Sequence, residues 1–155
     1  MQETLNPREL RAWRALLTAH RRMIRVLDAD LARSMDLSLQ QYEILLFLAN
    51  APDRSMRMAQ LADSVMLSRS GLTRSVDQLV ARGLVERRRC PTDARGWLAA
   101  LTPDGYQTLR DAAPIHLKGI KDHFTSKLEA GELTALAGLL ERVNEPAAEV
   151  CPQVS

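Results

Sequence analysis

The side chains best placed to do chemistry in this sequence are hydroxyls and arginines at helical spacing after Ser68. Ser70, Thr73, Arg74 and Asp77 fall at i, i+3, i+4 and i+7, with Arg69 beside them, so one helix would show them on a single face. A guanidinium pairs bidentately with guanine or clamps a phosphate, and Ser and Thr hydroxyls bond phosphates or base edges. Ser68 stands where an N-cap belongs, its hydroxyl ready for a free backbone N–H. Taken alone, the same face is equally an ordinary solvated helix surface.

The flanking residues decide between these readings. Upstream, Met58, Leu61, Ala62 and Val65 form the apolar stripe of a short helix, and Met66-Leu67-Ser68 is the turn after it. The second helix is expected to bury Leu72, Val76, Leu79 and Val80 and to end at Gly83, a residue suited to a left-handed C-terminal position. Two short helices joined by a tight turn fit a helix-turn-helix. Downstream, Leu84 to Arg89 reads as a strand, Cys90 to Gly96 as a turn, and Trp97 to Leu101 as the returning strand. Arg87, Arg88 and Arg89 on one arm, with Arg95 near the tip, make this hairpin a basic wing behind the helix. The net charge of the 155 residues is only +2, so affinity for nucleic acid must come from such a local cluster.

No competing chemistry emerges. The chain lacks G-x-S-x-G, a P-loop, H-E-x-x-H and a glycine-rich strand–helix turn, so no enzyme activity is expected. Its histidines are His20, His116 and His123; seven residues separate the last two, too far for one chelate, and no metal or other cofactor is expected. Cys90 and Cys151 have no CxxC or Cys/His metal spacing. Cys90 begins the wing turn beside Arg88 and Arg89, which would favour a thiolate; it reads as incidental, with a redox sensor as the alternative. No segment approaches a membrane span, and the expected location is the cytoplasm.

The rest of the chain must position this unit. From Pro7, the residues Leu10, Trp13, Leu17, His20, Ile24, Leu27 and Leu31 nearly keep a heptad seam, widened by Leu16 and Met23, after a frayed start at residues 1–6. Ser38 with Gln41 is a capping-box pattern opening a helix that is apolar nearly all round and therefore central. Residues 54–57 read as a short extended segment. Thr102-Pro103 opens another helix, with Leu109, Ala113, Leu117, Ile120 and Phe124 along one side and a kink expected near residue 110 from Pro114. A final helix carries Leu133, Leu136, Leu140 and Val143 on one stripe and stops at Pro146, before a disordered tail. Both terminal helical regions thus have apolar faces that need cover, from the same chain or a second copy.

With these pieces in order, the run LSRSGLTRSVDQLVARGLVERR…DARG…LTPDG resembles the MarR family of bacterial transcriptional regulators. The matching residues are Leu72-Thr73-Arg74, Leu79-Val80, Arg82-Gly83-Leu84-Val85, Asp93-x-Arg95 and Leu101-Thr102-x-x-Gly105. The resemblance implies a mainly α fold with a small β-wing: one domain over residues 1–155, with a winged helix-turn-helix at about 38–102 and dimerisation helices at about 7–36 and 103–145. It implies a homodimer that binds a pseudo-palindromic operator in double-stranded DNA and acts as a repressor. Arg69, Ser70, Thr73 and Arg74 would read the major groove, with Ser68 capping that helix near a phosphate, and Arg87, Arg88 and Arg89 would contact phosphates, alternate ones facing away. Arg95 would enter the minor groove while Asp93 holds a neighbouring guanidinium. A small aromatic or anionic effector is implied between the dimer helices and the winged unit, where Trp13, His20, Met23 and Tyr42 are the candidates. The alternatives are a winged-helix adaptor that binds protein, and a DNA binder gated by Cys90.

Overall fold

In the computed structural model, residues 4–65, 67–90 and 96–144 are described. The order is α1 (Pro7–Met35), α2 (Leu39–Asn50), β1 (Ser55–Arg57), α3 (Met58–Ser64), α4 (Arg69–Ala81), β2 (Val85–Arg89), β3 (Trp97–Leu101), α5 (Pro103–His123) and α6 (Ala130–Asn144). Short 3-10 turns precede β1 and follow α5. The fold is mostly helical with one small antiparallel sheet of order β1-β3-β2. No helix among the described residues is long and apolar enough to cross a membrane.

Capping chemistry sets most helix boundaries. The Ser38 hydroxyl accepts from the Gln41 N–H at 3.1 Å, and Gln41 Oε1 accepts from the Ser38 N–H at 3.0 Å, the reciprocal pair expected of this sequence. A second such box starts α1: Asn6 Oδ1 accepts from the Glu9 N–H at 3.1 Å and Glu9 Oε2 accepts from the Asn6 N–H at 2.7 Å. Asn6 is therefore the N-cap of α1 and not part of a frayed end. The Thr102 hydroxyl accepts from the Gly105 N–H at 3.0 Å, with Pro103 at the first helical position of α5. That helix runs unbroken through Pro114. Pro146 and the tail lie outside the described residues.

The core gathers α2 between the other elements. Ile44, Leu45 and Leu48 are fully buried there, beside Leu31, Leu37, Leu61, Leu72, Val76 and Leu79. Two apolar expectations need correction. Val80 is 37% exposed, because the buried stripe of α4 is Leu72, Ser75, Val76 and Leu79, and position 80 turns away from it. On α5 the buried residues are Gly105, Leu109, Ala112 and Gly119, while Leu117 faces outward.

Two glycines are required by the backbone. Gly83, at φ +72°, ends α4: its N–H donates to the Val80 carbonyl and the Leu84 N–H to the Leu79 carbonyl, both at 2.9 Å. Gly105 lets α5 approach the chain entering the wing, since a Cβ there would lie 2.0 Å from the Leu84 carbonyl oxygen.

The terminal helices behave differently from this core. Only Leu27 and Leu31 of α1 are buried, near its C-terminal end, and α6 buries nothing. Trp13 is 52% exposed and Val143 73%.

Candidate nucleic-acid interface

The recognition-type helix α4 is fixed by its apolar stripe and presents its N-terminal half outward. The Ser68 hydroxyl accepts from the Gly71 N–H at 3.1 Å and lies 3.3 Å from the Ser70 hydroxyl. Thr73 donates its hydroxyl proton to the Arg69 carbonyl at 2.8 Å. In that rotamer it offers an incoming group only an acceptor. Arg69, Ser70, Thr73, Arg74 and Asp77 are all exposed. They line, with Gln78 and Ala81, an open depression of ≈ 630 Å³. Among the described residues, neither Arg69 nor Arg74 has an ion-pair or hydrogen-bond partner for its guanidinium. Arg69 stands at the positive end of the helix macrodipole and Arg74 one turn further along the same face, an arrangement that favours an anion.

The wing arginines are arranged differently from one another. In the register, Val85 faces Leu101, Arg87 faces Ala99 and Arg89 faces Trp97, so these alternate residues share one side of the hairpin. Arg87 Nη2 lies 2.8 Å from Asp77 Oδ1 on α4. Arg88, on the other side, donates from Nε to Glu86 Oε1 at 2.7 Å. The Arg89 guanidinium sits over the Trp97 ring, 5.3 Å from its centroid. The three-arginine run is thus not one uniform patch: two of its members hold acidic partners. Cys90 is buried, 8% exposed, and its N–H donates to the Gly96 carbonyl at 2.9 Å across the base of the turn. Asp93 and Arg95 lie outside the described residues.

A second cleft, of ≈ 390 Å³, runs between the start of α3 and the wing, lined by Arg57, Met58, Ala59, Thr73, Arg87, Gly96 and Trp97. Arg57 and Trp97 were not singled out from the sequence, because their placement depends on β1 pairing with β3, Arg57 opposite Leu98. Spacing places Asp77 on the outward face, but its partner on β2 has no signature in that spacing.

The candidate effector residues separate into two places. Trp13, His20 and Met23 line an apolar cleft of ≈ 1110 Å³ between α1, the end of α5 and α6, together with Leu16, Phe124 and Leu140. Tyr42 is not with them. It is 4% exposed, inside the winged unit, with its ring centroid 4.5 Å from that of His116. Its position on α2 turns it toward α5 and not toward the upper part of α1. Burial raises the Tyr42 phenol and lowers the His116 imidazole from their ordinary values. His116 Nδ1 is buried without a hydrogen-bond partner. His123 Nε2 lies 3.2 Å from Asp30 Oδ2 and so joins α5 to α1. Among the described residues, no three His, Cys, Asp or Glu side chains cluster as metal ligands.

Comparison with known proteins follows the same lines. A family model described as MarR family matches residues 35–96. A candidate transcriptional regulatory protein for the hcr operon of Thauera aromatica is 33% identical over 102 residues, 66% of this chain; the match spans only 60% of that protein. The crystal structure of AbsC, a MarR family transcriptional regulator from Streptomyces coelicolor, superposes with a TM-score of 0.82 at 34% identity, covering 92% of this chain and 95% of that one. Sco3205, a MarR family regulator from the same organism solved in complex with DNA, gives 0.86 at 31% identity, covering 95% and 94%.

Proposed function

This chain belongs to the MarR family of transcriptional regulators, and we propose that it binds double-stranded DNA as a homodimer, reading a pseudo-palindromic operator. The observation that carries this reading is the open N-terminal face of α4, where Arg69 and Arg74 keep guanidinium groups with no partner among the described residues, beside Ser70 and Thr73. In a major groove, Arg74 and Arg69 would address guanine edges or phosphates, and Thr73 would accept from a base amino group. Ser68 and the first N–H groups of α4 suit a phosphate. Arg88 and Arg89 would meet the backbone from the wing, Arg87 would follow once released from Asp77, and Arg95 would enter the minor groove with Asp93 steadying a guanidinium.

Dimerisation would use α1, α5 and α6, the helices whose apolar faces lie open in one chain. Two copies then place two α4 helices about one turn of DNA apart. Occupying a promoter would repress transcription. A small aromatic or anionic effector in the cleft at Trp13, His20 and Met23 would shift the dimer away from its DNA-binding spacing. The family consists of regulators and not enzymes, and such a protein would work in the cytoplasm. The experiment is selection of duplexes from a random-sequence pool by the intact protein. Recovery of a two-fold symmetric motif supports the reading; recovery of no preferred sequence contradicts it.

A further inference from the structure

Arg82 ends the recognition helix, yet its side chain reaches back to another element. Its Nη1 donates to the Asp36 carbonyl at 2.6 Å and its Nη2 reaches the Met35 carbonyl at 3.4 Å. These carbonyls belong to the last residue of α1 and to its C-cap, and Asp36 is left-handed at φ 50°. A helix C-terminus leaves carbonyls without intrahelical partners and carries the negative end of the macrodipole. A guanidinium fork answers both. One turn earlier on α4, Gln78 Oε1 accepts from Gln41 Nε2 at 3.0 Å, and the buried Gln41 is itself the capping-box residue of α2. The corner where α1 meets α2 is therefore held from α4 at two points, both in the C-terminal half of that helix. Among the described residues, its N-terminal half has no such hydrogen-bonded tether. Arg82 does not line the depression in which Arg69 and Arg74 stand.

We infer that Arg82 is a positioning residue: it clasps the end of α1 and sets the angle between the dimerisation helix and α4, and so the half-site spacing that the dimer accepts. This rests on the DNA-binding reading above. The lever is long enough. α4 has 13 residues, about 20 Å of helix, so a tilt of about 10° at the clasp moves its N-terminus by about one base-pair step. Gly83 follows immediately, so the wing leaves from the same pivot.

The test uses a duplex selected from a random-sequence pool by the unaltered protein. Its half-sites are re-spaced in single base-pair steps around about one helical turn, and one half-site alone is also measured. Arg82→Ala should flatten the spacing profile, with discrimination falling by about fivefold or more. Its affinity for the single half-site and its salt slope should stay those of the parent. Arg82→Lys, which keeps the charge on a single donor nitrogen, should recover part of the profile, and Arg82→Gln serves if the alanine variant does not fold. Equal weakening at every spacing with the profile intact overturns the inference. So does a salt slope flattened by about one unit, which would make Arg82 a phosphate contact. A parent that selects no duplex removes the DNA reading itself and this inference with it; a parent that binds beside variants with an unchanged profile removes only the clasp.

Discussion

Asp77 on α4 and Arg87 on β2 face each other at 2.8 Å, Oδ1 to Nη2, so an ion pair joins the recognition helix to the wing on the surface proposed to meet DNA. The pair is open to solvent, with the side chains 58% and 35% exposed, and contributes at most about 1 kcal/mol to stability. Its larger effect is to occupy a cation that phosphates would otherwise attract. Asp77→Ala should therefore leave the unfolding midpoint nearly unchanged, raise affinity for all duplexes and steepen the salt slope by about one unit. Titrations at several salt concentrations decide this, and an unchanged slope would mean that Arg87 already meets a phosphate while paired.

Gly105 is packed against the backbone where the chain enters the wing. Gly105→Ala would put a Cβ 2.0 Å from the Leu84 carbonyl oxygen and 2.8 Å from a Leu101 methyl. Backbone and buried leucine must both move, so a loss of about 1–3 kcal/mol is expected in urea unfolding. A variant as stable as the parent would show that α5 is not held this closely.

The fold was legible wherever a short stretch carries its own pattern. Ser38 with Gln41, Ser68 before α4, Gly83 after it and Thr102-Pro103 each mark a boundary by chemistry local to a few residues. The apolar period of α1 likewise announces a face in need of cover. Contacts between elements were not legible. Nothing in the spacing pairs Asp77 with Arg87 or brings Arg82 to the end of α1, since those meetings depend on how helices and strands stack. Spacing does not separate Val80 from the buried stripe, because an apolar residue next to such a stripe has the same signature as one inside it. Residue type alone places Tyr42 with Trp13, whereas α2 turns it into the core against His116.

His116 makes stability depend on pH. Burial lowers its pKa below the usual 6.5, so the unfolded chain takes up this proton more readily than the folded one. Above the unfolded value neither state is protonated there and the group contributes no slope. As pH falls through that value toward the lowered one, the unfolded state gains and stability drops. Melting temperatures measured from neutral pH downward should fall faster in the parent than in His116→Phe, which keeps a ring beside Tyr42. Parallel curves would contradict this.

The proposed homodimer would cover the apolar cleft between α1, α5 and α6 with a second copy. Sedimentation at micromolar concentration should give a dimer. Leu140→Glu, a substitution in the cleft wall, should shift the protein toward monomer while the winged unit stays folded. A parent that sediments as a folded monomer would remove the geometric basis for paired half-sites.

The most direct measurement concerns Arg74, whose guanidinium, on the open face of α4, has no partner among the described residues. The unaltered protein and Arg74→Ala are titrated against a selected operator duplex and a scrambled duplex of equal length, at several salt concentrations. The account predicts a loss of about 1–3 kcal/mol on the operator and little on scrambled DNA, so that specificity falls more than affinity. Operator and scrambled affinities both unchanged in Arg74→Ala would contradict it, since the face of α4 would then not be reading DNA.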